Sequence, residues 1–185
     1  MKIIAISGSL RAGSSNTAVL RAAARLAPPD VEIVLFDGIA DLPFFNPDDD
    51  GDRLPAVVGA MRILIGTADG LLISSPEYAR GVAGVMKNAL DWLVGSFEFP
   101  DKPVALINTS PRATHALAAL TLTLETMSAR LVPDAFLTLP LLGTPSDEDS
   151  IVANAGLAEP LRGAIARFAA EIEALRQTDD RRCQL

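Results

Sequence analysis

The segment Lys2-Ile3-Ile4-Ala5-Ile6-Ser7-Gly8-Ser9-Leu10-Arg11-Ala12-Gly13-Ser14-Ser15-Asn16-Thr17 decides the fold. Lys2–Ser7 is a compact, mostly apolar run without polar alternation, the pattern of a strand buried on both faces. A turn of small residues follows. From Ser15 the chain becomes rich in Ala, Leu and Arg, which predicts a helix over residues 15–27, stopped by Pro28-Pro29. The loop between them is built to meet an anion. The hydroxyls of Ser9, Ser14 and Ser15 and the amide of Asn16 are neutral donors, and Arg11 adds a planar charged one. The first amides of the helix lack partners and carry the positive end of its dipole. Together they suit a terminal phosphate. The loop has neither a Gly-x-Gly-x-x-Gly fingerprint nor the Lys-Ser/Thr pair that closes a P-loop. Taken alone, a glycine turn with a serine helix cap explains it equally well.

The alternation of strand and helix continues along the chain. Further strands are expected at residues 31–36, 70–75, 103–109 and 131–139, and helices at 54–67, 82–94, 116–130 and 156–177. Residues 37–52 and 140–150 read as loops. Residues 1–177 form one expected domain, followed by a polar tail at 178–185. Buried strands joined by helices predict an α/β three-layer sandwich around a five-stranded parallel sheet. Right-handed crossovers favour the strand order 2-1-3-4-5, with ligands beyond the carboxyl ends, beside the point where the order reverses. The loops after strands one, three and four are therefore the candidate site.

Bulk properties narrow the function. With 185 residues, 49% of them apolar, the chain supports one well-buried core. A net charge of −7 argues against nucleic acid and against an anionic membrane surface as partners. The single cysteine, Cys183, rules out an internal disulfide framework and any cysteine-based metal site. The apolar start is too short for a signal peptide, and no run reaches the ~18 apolar residues of a membrane span. A cytoplasmic protein is expected.

The string Gly8-Ser9-Leu10-Arg11-Ala12-Gly13-Ser14-Ser15-Asn16 directly after the first strand resembles the NAD(P)H-dependent FMN reductase family. That family includes flavodoxin-like quinone, chromate and azo-dye reductases. Ser75-Pro76-Glu77-Tyr78 after strand three is a second match, and Gly84-Val85-Met86-Lys87-Asn88-Ala89-Leu90-Asp91-Trp92 a third. The resemblance implies a flavodoxin-like fold with Ser9, Arg11, Ser14 and Asn16 on the FMN phosphate and Ser15 and Thr17 as helpers. It implies that Pro76, Glu77 and Tyr78 lie along the isoalloxazine ring, with backbone amides of Glu77 and Tyr78 at its polar edge. Asn88 and Trp92 would sit in the helix that supports this loop, and a homodimer or homotetramer is implied. The substrates implied are NADPH or NADH and a small-molecule electron acceptor, served in turn at one site. No catalytic side chain and no metal is expected, because the cofactor performs the redox chemistry.

Two stretches depart from the family's pattern. Ala79-Arg80-Gly81-Val82-Ala83 replaces an asparagine-containing stretch with a proline, and Thr109-Ser110-Pro111-Arg112-Ala113-Thr114-His115 replaces a glycine-rich loop. There Ser110 and Arg112 are the cofactor-binding candidates, Arg112 at the flavin's pyrimidine edge or on an NADPH phosphate. Trp92 reads as core, His115 as a cap or surface residue, and Cys183 as a bystander. The acidic run Asp48-Asp49-Asp50-Gly51-Asp52 lacks the spacing and closing glutamate of a calcium loop, and reads as solvated. The alternatives are a flavodoxin-type electron carrier, which the acidic charge suits, and a regulatory protein that has lost the flavin.

Overall fold

Strands that are apolar at consecutive positions must be covered on both faces, and this chain supplies two separate covers. The computed structural model describes residues 1–141 and 147–183, with side chains to residue 178. The middle of the predicted second loop, the end of the predicted tail and the side chain of Cys183 lie outside the described residues. In chain order the elements are β1 (Lys2–Ser7), α1 (Ser15–Leu26), β2 (Glu32–Leu35), α2 (Ala56–Gly66) and β3 (Gly70–Ser74). A hairpin of β4 (Glu77–Tyr78) and β5 (Gly81–Val82) leads into α3 (Gly84–Val94), β6 (Pro103–Asn108) and α4 (Thr114–Thr126). The chain closes with β7 (Arg130–Leu131), β8 (Leu137–Thr138), α5 (Glu148–Ala153) and α6 (Ala155–Cys183).

All pairings in the main sheet are parallel, in the order β2-β1-β3-β6, with β7 and β8 both on the outer edge of β6. The expected order 2-1-3-4-5 is therefore present, and the chain is α/β and flavodoxin-like. Successive strand residues point to opposite faces. Ile3, Ala5, Leu72, Ala105 and Ile107 pack with Val19, Leu20 and Ala23 of α1 and Leu161, Ile165 and Phe168 of α6. Ile4, Ile6, Leu71, Ile73, Val104 and Leu106 pack with Val58 and Met61 of α2, Met86 and Leu90 of α3, and Leu120 of α4.

The fifth strand departs from expectation. Residues 131–139 do not form one strand; a 3-10 turn at Pro133–Ala135 divides them. Pro133 has no N–H for the ladder and a fixed φ, so pairing with β6 stops and resumes after the turn. The last helix runs through Cys183, past the expected end at 177, because nothing between Thr178 and Cys183 is a glycine or proline. The short α5 begins where a loop is expected, within residues 140–150. Its cap is Asp147, whose carboxylate accepts from the Ser150 amide at 2.8 Å and hydroxyl at 3.0 Å. These bonds hold the Asp147 carboxyl below its ordinary pKa. The bonded carboxylate thus adds stability above the ordinary pKa, and that stability is lost as pH falls through the lowered one. In urea midpoints taken from about pH 6 to about pH 3, the advantage of the unaltered chain over Asp147→Asn should shrink as pH falls.

The third motif string is a brace. Asn88 accepts from the Phe45 amide at 2.8 Å and donates to the Pro43 carbonyl at 2.9 Å. Trp92, fully buried, donates its indole N–H to the same carbonyl at 2.8 Å and meets the Phe45 ring edge-on at 5.0 Å between centroids. The side chains of Asn88 and Trp92 therefore pin the loop at residues 43–46. The acidic run is not wholly solvated either. Asp50 is half-buried in a two-point pair with Arg62, at 2.9 and 3.1 Å, and Arg62 also donates to the Trp92 carbonyl.

Candidate functional site

The strand order reverses between β1 and β3, so the chain leaves those two carboxyl ends in opposite directions and a crevice opens. There the Gly8 amide bonds to the Ser74 carbonyl at 2.8 Å, which closes the loops after β1 and β3 tightly together. A cavity of about 360 Å³ lies above them, within the range of small-molecule sites. The first loop lines it with Ser9, Arg11, Ser14, Ser15 and Asn16, and the loop after β3 with Ser75, Pro76, Glu77 and Tyr78. The loop after β6 adds Asn108, Thr109, Ser110, Arg112 and Ala113. Of the eleven residues expected from the sequence, ten thus meet at one cavity. Thr17 does not line it; its hydroxyl sits behind the loop, 2.8 Å from that of Ser7.

Two of the three loops share one plan. After β1, the Ser7 hydroxyl accepts from the Ser9 amide at 3.3 Å, and the Ser9 hydroxyl from the Arg11 amide at 3.4 Å. After β6, Asn108 Oδ1 accepts from the Ser110 amide at 3.1 Å, and the Ser110 hydroxyl from the Arg112 amide at 3.3 Å. Each side-chain oxygen bonds the amide two residues on, which winds the chain into consecutive local turns. Each series ends on an exposed arginine.

The polar groups beneath differ. Asn16 is buried, and its Oδ1 accepts from the Ser74 hydroxyl at 2.9 Å and the Thr109 hydroxyl at 3.3 Å. With its acceptor occupied, Asn16 has only its amide hydrogens to offer a ligand. Ser14 caps α1, its hydroxyl accepting from the Thr17 amide at 3.4 Å. Helix α4 has no such local cap: Ala113 stands there. Its cap comes from afar, since Glu77 accepts from the Ala116 amide at 2.8 Å. The Glu77 side chain is thereby committed to α4, and only its backbone is left for a ligand.

The hairpin β4–β5 pairs Tyr78 with Gly81, leaving Ala79-Arg80 as a two-residue turn. Both have positive φ, 50° and 61°. A turn of this kind favours Asn-Gly, and an L side chain there is strained by roughly 1–2 kcal/mol per residue.

Sequence reading missed Ser75, Asn108, Thr109 and Ala113 as lining residues. For Asn108 a signal existed: Asn108-x-Ser110-x-Arg112 repeats the spacing of Ser7-x-Ser9-x-Arg11. His115 is exposed in the first turn of α4 and does not line the cavity.

Comparison with known proteins places the chain in one family. Residues 1–140 match the family model described as NADPH-dependent FMN reductase. An NAD(P)H-dependent FMN reductase of Pseudomonas aeruginosa is 43% identical over 112 residues, 60% of each chain. A 2-hydroxy-1,4-benzoquinone reductase of a Burkholderia species is 44% identical over 113 residues, 60% of this chain and 61% of the relative. The matched stretch thus spans about 60% of the length of these relatives. Among solved structures, the flavoenzyme NAD(P)H:(acceptor) oxidoreductase of Paracoccus denitrificans superposes with a TM-score of 0.77 at 27% identity, covering 94% of this chain and 97% of that one.

Proposed function

Because the chain belongs to the NADPH-dependent FMN reductase family, we propose that its cavity binds FMN and serves an NAD(P)H-dependent reduction of a quinone or other small acceptor. The observation that carries this reading is the convergence of three loops on one cavity of about 360 Å³. The donor set fits the cofactor: serine hydroxyls, the Asn16 amide hydrogens and the start of α1 suit a phosphate, and none of these is acidic.

When bound, FMN supplies the redox chemistry, taking a hydride from NAD(P)H and then passing electrons to the acceptor at the same site, in ping-pong order. The protein's part is binding and orientation. Arg11, Ser9, Ser14, Ser15 and Asn16 hold the phosphate, with Thr17 fixing Ser7 behind them. Pro76 and the backbone amides of Glu77 and Tyr78 would lie along the ring, and Ser110 and Arg112 would line the cavity from the loop after β6. Preorganised donors at the ring's polar edge stabilise negative charge that grows there on reduction.

The exposed Arg11, Arg80 and Arg112 near the mouth count against an electron carrier that docks a basic partner through an acidic face. The proposal extends to a homodimer or homotetramer, supported by the exposed rings of Phe44 and Phe97 near the braced end of α3. Its proposed place is the cytoplasm, where NAD(P)H is supplied. Among the described residues no helix is long and apolar enough to cross a membrane.

An anaerobic visible spectrum of the FMN-loaded protein tests the reading. Rapid bleaching of the flavin band on adding NADPH or NADH is expected. Bleaching by dithionite alone would favour the electron carrier. In a fluorescence titration, Arg11→Ala should weaken FMN binding by about tenfold to a hundredfold, the loss of one charged hydrogen bond of roughly 1.5–3 kcal/mol. Unchanged affinity would overturn the phosphate assignment.

A further inference from the structure

Six arginines of this acidic chain are neutralised. Arg25, Arg53, Arg62, Arg130, Arg162 and Arg176 each pair with a carboxylate. Arg11, Arg80 and Arg112 do not: all three are exposed, and among the described residues none has an ion-pair partner. They stand on the three loops at the carboxyl end of the sheet. Glu77, the carboxylate nearest in sequence to Arg80, is held by the Ala116 amide. Arg11 and Arg112 line the cavity and Arg80 stands two residues beyond the lining Tyr78, more guanidinium groups than the one phosphate of FMN requires.

Arg80 and Arg112 share a rim. Arg112 directly precedes the Ala113 cap of α4, and the hairpin that carries Arg80 packs on α4 through β5 and is tied to it by Glu77. The left-handed turn at Ala79-Arg80 holds Arg80 at the hairpin tip, two residues beyond the cavity-lining Tyr78. A sequence selected only for hairpin stability would place Asn-Gly there.

We propose that Arg80 and Arg112 form a second anion position, which receives a phosphate group of the incoming NAD(P)H, apart from the FMN phosphate position at Arg11. The inference rests on the reading of the cavity as an FMN and NAD(P)H site. Guanidinium groups suit phosphate because their planar fork matches its oxygens. Both dinucleotides bring a pyrophosphate, and NADPH adds a 2′-phosphate.

The test is calorimetric titration of the FMN-loaded protein with NADP⁺ and with NAD⁺, neither of which reduces the flavin. Arg80→Gly removes the charge while easing the positive φ, so the hairpin keeps its shape. Its FMN affinity should equal that of the unaltered chain. Its dissociation constant for NADP⁺ should rise about tenfold, and further when combined with Arg112→Ala. A loss confined to NADP⁺ identifies the 2′-phosphate as the group held; an equal loss for NAD⁺ identifies the pyrophosphate. NADP⁺ binding that is absent from the unaltered protein, or unchanged in both variants while FMN binds normally, overturns the proposal. Failure of the unaltered protein to take up FMN would overturn the cavity reading and this inference with it, and is seen before any dinucleotide is added.

Discussion

Gly8→Ala should lower both stability and FMN affinity. A Cβ at this position would stand 2.8 Å from Ser75 Cβ and 3.2 Å from Met86 Cβ. Neither atom is the free end of a side chain, so relief requires the backbones after β1 and β3 to part. Overpacking of this sort costs about 1–3 kcal/mol. The same movement strains the bond from the Gly8 amide to the Ser74 carbonyl and shifts Ser75, which lines the cavity. We expect a lower urea midpoint with an unchanged slope, and FMN binding weakened by roughly tenfold or more, since donors must sit within a few tenths of an ångström of their target. Normal FMN affinity in a destabilised Gly8→Ala protein would show that the crevice does not position the ligand.

Trp92→Ala is expected to separate what Gly8→Ala joins. Trp92 is fully buried at the centre of the α3 face, and its removal should cost about 3–5 kcal/mol. Part of that is the hydrogen bond to the Pro43 carbonyl and the edge-on contact with Phe45. Urea unfolding followed by far-UV circular dichroism measures the loss. Trp92→Phe keeps most of the volume, and Pro43 retains its bond from Asn88, so about 1–2 kcal/mol is expected. Because Trp92 does not line the cavity, FMN affinity of the folded Trp92→Phe protein should stay within a few-fold of normal. A large loss would mean that the loop at residues 43–46 takes part in the site.

The sequence was most readable where burial is two-sided. The strands Lys2–Ser7, Gly70–Ser74 and Pro103–Asn108 fall within one residue of expectation, because uninterrupted apolar runs between turn residues have little alternative. The loop after β1 was legible from its hydroxyls and arginine. What stayed hidden depends on partners far along the chain. Nothing local marks Glu77 as the cap of α4, 39 residues away. Strands of two residues show no alternation, and the turn between β4 and β5 lacks the Asn or Gly that would have announced it. Nor does spacing on a helix say which loop lies across it, so the bonds from Asn88 and Trp92 to the loop at residues 43–46 had no local signal.

The Glu77 carboxylate on the Ala116 amide also gives the crevice a direction. Helices α1 and α4 both begin at it, and neither has an acidic residue in its first turn. One of these positive poles is already stoppered by a carboxylate belonging to the chain; the other is open, ringed by neutral hydroxyls. An elongated guest with its charge at one end is therefore sorted head from tail before its flat portion touches anything. Were it to enter the wrong way round, its anionic end would give up the open pole of α1 for one whose amide is already bonded to Glu77. Orientation of the cargo follows here from where the fold has spent its own negative charge, in addition to the shape of the walls.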